Sequence, residues 1–183
     1  MSESAFQSFA AAKGFHPQTL ARWLSWPAED RGVLAKLALD LKIGENQLRD
    51  LMDWSEEIAL RDGIAMAAIF AGKVIDAIAT DPRLGRADKV KKIKESLRRL
   101  RFPRLAQAED EIFSKIRALK LLPEIRLTVA PGLEGGRLQI EFTVTSQQEF
   151  KRLAEKLATA AETNSTYEIF SLLGGSAKSP EPV

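Results

Sequence analysis

Residues 125–144, IRLTVAPGLEGGRLQIEFTV, alternate apolar and polar side chains with the two-residue period of a β-strand. The alternation runs through Ile125, Leu127 and Val129, stops, and resumes in a second apolar set at Leu138, Ile140, Phe142 and Val144. Between the two runs stand Pro131 and three glycines, Gly132, Gly135 and Gly136, which supply the fixed and the positive φ angles of a connecting loop. The sequence therefore predicts a β-hairpin.

A hairpin of two strands is marginally stable in water by itself and leaves two unpaired edges. No third strand is predicted, so the hairpin must be completed by the helices predicted at 105–121 and 147–161 together with the hairpin of a second copy. We expect a homodimer with the strand 137–144 at the dyad, because its apolar side chains are the bulkier set. The expected interface residues are Leu138, Ile140, Phe142, Val144, Phe150, Leu153 and Leu157.

The rest of the chain shows the three-to-four-residue apolar spacing of helices. The predicted fold class is α+β, mostly helical, with an N-terminal helical bundle followed by a helix–β-hairpin–helix dimerisation unit. The expected domains are a helical bundle at 1–82, a basic helix plus an αββα unit at 83–163, and a short helix with a disordered tail at 164–183. Residues 64–80 are apolar nearly all round and predict one buried central helix.

The composition limits which classes of function are possible for this chain. With 183 residues and 45% apolar side chains the chain can build a core. It contains no cysteine, which excludes disulfides, thiolate metal sites and thiol nucleophiles. The most apolar run, 64–72, is too short to span a bilayer. We expect a protein of the cytoplasm, associated with the nucleoid if it binds DNA, and no membrane partner.

Residues suited to catalysis are scarce. The single histidine, His16, precedes a proline at a predicted helix start, where a helix-entry role is favoured over a ligand role. Four acids at 50, 53, 56 and 57 could surround Mg²⁺, but a solvated acidic face is the better interpretation. Phosphate-binding and nucleophile motifs are absent from the sequence. We therefore expect a non-enzymatic protein without catalytic residues, metal or cofactor.

The positive charge is concentrated in one segment. Between residues 83 and 104 ten Lys or Arg stand against two acids, in a chain whose net charge is only +2. In the predicted helix the cations cover every side except one apolar stripe, so it could follow a phosphate backbone. The expected DNA-binding residues are Lys89, Lys91, Lys92, Lys94, Arg98, Arg99, Arg101 and Arg104.

Residues 34–53 fit the apolar positions of a helix-turn-helix. Lys42, however, stands where the turn usually has glycine, and acids such as Glu45 and Asp50 on the second helix repel phosphate. Two interpretations stay open at this point: a degenerate helix-turn-helix, and a plain helical hairpin.

One run resembles the carboxy-terminal part of ParB-type partition proteins: LRRLRFPRLAQAEDEIFSKIRALKLLPEIRLTVAPGLEGGRLQIEFTVTSQQEFKRLAEKL. It has the Pro-Arg-Leu helix start, the Gly-Gly hairpin, the IEF strand and a Ser-x-x-Glu helix. Residues 24–80 resemble the all-helical part that precedes it in that family. The resemblance implies a dimer that joins two hairpins into one sheet and associates with duplex DNA. The family's nucleotide-binding domain has no counterpart in these residues, so nucleotide hydrolysis is not implied.

Two hypotheses for the function follow. The first is a homodimeric DNA-binding protein related to chromosome or plasmid partition proteins, with the basic helix on DNA phosphates. The second is a dimeric protein-interaction or adaptor module, in which the acidic helical bundle binds a protein partner and the basic helix neutralises acidic neighbours. Salt-dependent duplex binding separates the two.

Overall fold

The computed structural model describes residues 3–174, which form ten α-helices and one two-stranded antiparallel sheet. The mostly helical α+β fold class is thereby confirmed. The tail that the sequence predicts to be disordered lies, beyond Gly174, outside the described residues.

The chain divides into two compact units, Met1–Phe102 and Pro103–Val183, called here the first and the second unit. The boundary expected at 82/83 is therefore wrong by one helix. The basic helix belongs to the first unit because its apolar residues Val90, Ile93 and Leu97 are buried in that unit's core.

The first unit consists of helices only: α1 Glu3–Ala12, α2 Pro17–Leu24, α3 Ala28–Leu41, α4 Glu45–Asp62, α5 Met66–Phe70, α6 Lys73–Thr80 and α7 Arg86–Arg101. Its core contains fully buried Trp23, Leu34, Leu48 and Met52. Burying large apolar side chains of this kind contributes about 1.5–3 kcal/mol each. The apolar residues of α3 and α4 recur every three or four positions, and burying that face determines how the two helices pack.

The turn between α3 and α4 is short and well defined. Lys42 adopts the left-handed conformation (φ 53°, ψ 45°) and its N–H bonds back to Leu39, while Ile43 is buried. Gly44 is the N-cap of α4, and Gly63 ends that helix in the left-handed region at the position predicted from the sequence.

The single buried helix expected at 64–80 is wrong. The segment forms two short helices, α5 and α6, because Gly72 is extended (ψ 140°) and caps a new start. α5 is mostly buried, but in α6 only Ile75 is. The break leaves an open groove beside α3, described below.

The second unit contains α8 Pro103–Ala118, β1 Arg126–Val129, β2 Leu138–Glu141, α9 Gln147–Ala161 and α10 Asn164–Leu172. The strands pair antiparallel from Val129↔Leu138 to Arg126↔Glu141, which confirms the hairpin. β2 is shorter than predicted, since it ends at Glu141.

The helices of the second unit pack against the hairpin and cover its apolar side chains. Buried Ile125 and Leu127 pack with Leu153 of α9, and a second cluster joins α8 to α10 through Ile112 and Ile169. In the loop Pro131–Gly136 three glycines have positive φ. A Cβ on Gly136 would lie 2.7 Å from the Leu173 carbonyl oxygen, so a larger residue would displace the end of α10.

Candidate nucleic-acid interface and dimer surface

The carboxylates of α4 are all engaged. α2 supplies Arg22, whose guanidinium reaches Asp53 (2.6 Å) and Glu56 (2.7 Å). The hydrogen bonds that Arg22 donates to Glu56 are the main reason that the pKa of Arg22 lies above its usual range. The remaining acids of α4 and their partners are Glu45 with Thr19 and the His16 N–H, Asp50 with Lys94, Glu57 with Arg101, and Asp62 with Arg61.

These ion pairs change the electrostatic argument against α4 as a reading helix. Acids that already accept hydrogen bonds from cations repel a phosphate much less than free ones do. The hydrogen bonds from Thr19 and from the His16 N–H lower the pKa of Glu45, so this acid is held ionised but is turned toward α2.

The same pairs reduce the positive charge that α7 can offer. Lys94 lies 2.6 Å from Asp50 and 5.3 Å from the centre of the Trp54 ring, and Arg101 reaches Glu57 at 2.5 Å. Arg98 bonds Glu95 on its own helix. Lys89 donates to the Ala79 carbonyl at the end of α6.

The face of α7 opposite its buried stripe alternates in sign. Residues spaced by three or four share a helix face, and this face carries Asp88, Lys92, Glu95 and Arg99. The expectation that cations cover every side but the apolar stripe is therefore wrong for the outermost face. Of the eight expected DNA-binding residues, seven lie on α7 in the first unit, and Arg104 lies on α8 in the second.

A groove joins α4 and α7. Its volume is about 420 Å³, and it is lined by Gln47 and Trp54 of α4 and by Lys91, Lys94 and Arg98 of α7. Lys91 is exposed and forms no hydrogen bond or ion pair with any residue in 3–174. The groove therefore places an amide, an aromatic ring, three cations and the Glu95 carboxylate on one surface of the first unit.

The exposed start of α4 adjoins this groove through Gln47. Asn46, Gln47 and Arg49 are exposed there. These side-chain types make bidentate hydrogen bonds to adenine and guanine edges. Arg49 also lines a neighbouring polar pocket with His16 and Gln18. His16 caps α2 by accepting the Gln18 N–H on Nδ1 (3.2 Å), which confirms its helix-entry role.

The expected dimer residues divide into two groups. Ile140 and Phe150 are exposed by 44% and 52%, and β2 has no partner strand along its outer edge within the described chain. Leu153 is 1% exposed and belongs to the protomer's own core, which contradicts its placement at an interface. The remaining four are half-buried against that core: Leu138, Phe142, Val144 and Leu157.

Sequence reasoning missed two features of the first unit. It did not find that Arg22 bridges α2 to α4, although an arginine opposite paired acids at 53 and 56 was the available signal. It also missed the groove beside α3, which depends on the break at Gly72. Across residues 3–174 no cluster of His, Cys, Asp or Glu suits a metal ion, and no helix there is long and apolar enough to cross a bilayer.

Comparison with known proteins gives no assignment: no family model matches the chain, and no curated protein or solved structure is significantly similar to it.

Proposed function

We propose that this protein is a non-enzymatic homodimer that binds duplex DNA through its first unit and dimerises through its second. The observation that carries the proposal is the surface formed by the first turn of α4 and the groove with α7. There Gln47 lines the groove with Lys91, and Asn46 and Arg49 are exposed near the start of the same helix, while the acids of α4 are engaged by cations and other donors of the unit.

The α3–turn–α4 segment supports the helix-turn-helix interpretation over the plain hairpin. Lys42 takes the left-handed conformation that glycine usually provides in such turns, so the backbone is compatible with the motif although the residue type is not typical. α4 would read bases with its first turn, and α7 would contact phosphates. This assignment accords with the resemblance to ParB-type partition proteins.

The ion pairs limit how many phosphates α7 can contact. Lys91 and Lys92 are exposed and unpaired among the described residues, whereas three other cations of α7 are held by carboxylates. We therefore expect a modest salt dependence, with about two phosphate contacts per protomer from this helix. In addition, neutralising Lys94 or Arg101 would disturb the packing of α7 on α4 and would not report on DNA alone.

The test is duplex binding by fluorescence anisotropy at about 50 mM and 200 mM salt. The variant Lys91→Gln with Lys92→Gln should weaken binding on all sequences and lower the salt slope by about two per protomer, or about four for the dimer, at about one per lost contact. The matched control is Lys36→Gln with Lys73→Gln, which removes equal charge from exposed positions on α3 and α6 instead of α7.

Base reading is tested separately. Asn46→Ala with Arg49→Ala should cost about 1–3 kcal/mol for each specific base contact on a preferred sequence and much less on random duplex. If the wild type binds no duplex at about 50 mM salt, where phosphate-binding proteins bind strongly, the DNA proposal fails.

The second candidate function is a dimeric protein-interaction module without DNA binding. It is favoured by one observation, the engagement of Lys94, Arg98 and Arg101 by carboxylates of their own unit. On this hypothesis the cations neutralise acidic neighbours, as in many charged helices. Equal duplex affinity and equal salt slope for the Lys91/Lys92 variant and its control would support this second function.

A further inference from the structure

An apolar groove runs along α3 on a different set of residues from the α4–α7 surface. It encloses about 370 Å³ between α3 and the α5–α6 segment. Buried Leu37, Leu41, Phe70 and Ile75 form its lining, with small residues leaving the space open: Gly32, Ala71 and Ala79. The volume lies in the range of about 300–1,000 Å³ that is typical of ligand sites.

Each wall of the groove carries one exposed carboxylate. Asp40 lies on α3 and Asp76 on α6, and both line the groove. Neither forms an ion pair or side-chain hydrogen bond with another residue in the described range 3–174. Lys36 lies one turn from Asp40 without bonding it, so the rim keeps a net negative charge. This contrasts with α4, where every carboxylate has a partner.

The shape of the groove indicates an elongated occupant. Its α3 wall extends from Gly32 to Leu41, which at 1.5 Å per residue is about 13 Å, or two and a half helical turns. An apolar channel of that length beside a helix is the geometry in which amphipathic helices bind. Carboxylates on both walls select basic residues on either side of the occupant's apolar stripe.

We propose that this groove binds an amphipathic helix of a partner protein, with leucine-like side chains against Leu37, Phe70 and Ile75 and with Lys or Arg facing Asp40 and Asp76. The site is independent of the DNA-binding proposal, since it shares no residue with the α4–α7 groove. The first unit then has two interaction surfaces: the α4–α7 surface prefers negatively charged phosphates, and the groove along α3 prefers positively charged side chains.

The test uses a capped, fluorescently labelled helical peptide of leucine and lysine, with leucines at i, i+3, i+4 and i+7. Its control is the leucine–glutamate peptide with the same leucine spacing. The full-length protein should bind the lysine peptide and not the glutamate peptide. Methyl NMR signals of Val33, Leu37 and Ile75 should shift during the titration.

The variant Asp40→Asn with Asp76→Asn should weaken binding of the lysine peptide about fivefold, as expected for losing two exposed ion pairs. The matched variant Glu29→Gln with Asp88→Asn removes two other exposed, unpaired carboxylates of the first unit that do not line the groove. It should leave peptide affinity unchanged. All four substitutions are on the surface, so circular dichroism should show the wild-type fold.

Several results would overturn the proposal: absence of binding by the lysine peptide, equal binding of the glutamate peptide, or an affinity that Asp40→Asn with Asp76→Asn leaves unchanged. Shifts of the groove methyls on raising protein concentration alone would assign the groove to a second copy of this chain. In that case a partner helix is not its occupant.

Discussion

Lys42 connects α3 to α4 at a backbone conformation that is unfavourable for a residue with a side chain. Its φ of 53° and ψ of 45° lie in the left-handed region, where the conformational strain of a residue with a Cβ atom is about 1–2 kcal/mol. The carbonyl of Lys42 also accepts a bond from the Lys13 ammonium (3.0 Å), so the turn is held by a contact that does not need the Lys42 side chain.

Lys42→Gly is therefore expected to stabilise the protein by about 1 kcal/mol, because relief of the left-handed strain exceeds the added entropy of the unfolded chain. Urea unfolding at neutral pH measures the change. Lys42→Ala, which removes the same side chain but keeps the strain, is the control and should give no gain. A Gly variant no more stable than the Ala variant would contradict the assigned turn conformation.

Glu124 ties the start of the hairpin to α9. Its carboxylate accepts from Lys156 at 2.6 Å and from Arg152 at 2.5 Å, and the bond from Lys156 is the larger cause of its lowered pKa. Because the folded-state pKa lies below the usual 4.5, the unfolded state binds the proton more readily. The stabilisation is complete above about pH 4.5 and is lost as the pH falls through the folded-state pKa.

Glu124→Gln should thus lower stability at pH 7, and the difference from wild type should shrink when unfolding is measured near pH 3. Glu155→Gln is the comparison, since Glu155 is 3.9 Å from Lys151 and both side chains are largely exposed. Its effect should be small at either pH. A deficit for Glu124→Gln that persists at low pH would mean that packing, not charge, is responsible.

At the scale of secondary-structure elements, α5 is fixed to α3 by a buried acid. Asp30 is 5% exposed and its Oδ1 accepts the N–H of Ala67, at the first turn of α5, at 2.6 Å. α5 has only five residues, too few to be stable by itself. The helix therefore depends on this cap and on its apolar side chains.

Asp30→Ala should destabilise the first unit by about 1–3 kcal/mol, because the buried Ala67 N–H loses its acceptor. Asp30→Asn keeps an acceptor oxygen and should recover most of that loss. Glu29→Ala, at an exposed neighbouring position of the same first turn, serves as the control and should cost a few tenths of a kcal/mol. Equal losses for Asp30→Asn and Asp30→Ala would exclude the cap as the cause.

The sequence predicted those elements whose signal is local. The hairpin follows from the period-two pattern of 125–144, the end of α4 from Gly63, and α9 from its Ser146 cap, which accepts the Glu149 N–H. The break inside 64–80 was missed because an all-round apolar pattern looks the same for one buried helix and for two short ones. Gly72 was the only local signal of the break.

The ion pairs of the candidate DNA surface were harder to predict from the sequence than its content of basic residues. The run of cations in 83–104 is plain in the sequence, but its partners Asp50 and Glu57 are 44 residues away from Lys94 and Arg101. Such pairings depend on how α4 packs on α7, which periodicity does not specify. For the same reason Leu153 was assigned to an interface although it fills the protomer's core.

At the scale of the whole molecule, the dimer proposal rests on the exposed apolar face of the hairpin unit. Ile140→Asp should abolish dimerisation and leave the protomer folded, because this side chain is exposed in the protomer and would be buried in a joint sheet. Phe142→Asp is less informative, since Phe142 also packs on the protomer's own core.

Sedimentation equilibrium at micromolar concentration measures the outcome, with circular dichroism as the check on folding. Leu60→Asp is the control: Leu60 is the most exposed of the large apolar residues described, but it lies in the first unit. That variant should remain dimeric. A monomeric wild type, or a dimer that survives Ile140→Asp, would exclude the hairpin interface.

The chain divides into its two units between Phe102 and Pro103. Each unit has its own core: the first cluster contains no residue beyond Leu97, and the other two contain none before Ile112. Separate cores of this kind allow separate folding. The fragments 1–102 and 103–183 should therefore each unfold cooperatively, the first as a monomer and the second as a dimer.

The DNA affinity of the fragments then separates the two roles. Fragment 1–102 should keep the salt slope of a single protomer but bind about a hundredfold more weakly than the full chain, because it loses the effective concentration that linking two binding units provides. Fragment 103–183 should bind weakly or not at all, and Ile140→Asp in the full chain should reproduce the affinity of fragment 1–102. If fragment 103–183 binds duplex as tightly as the full chain, the DNA site lies in the second unit and the assignment to α4 and α7 is wrong.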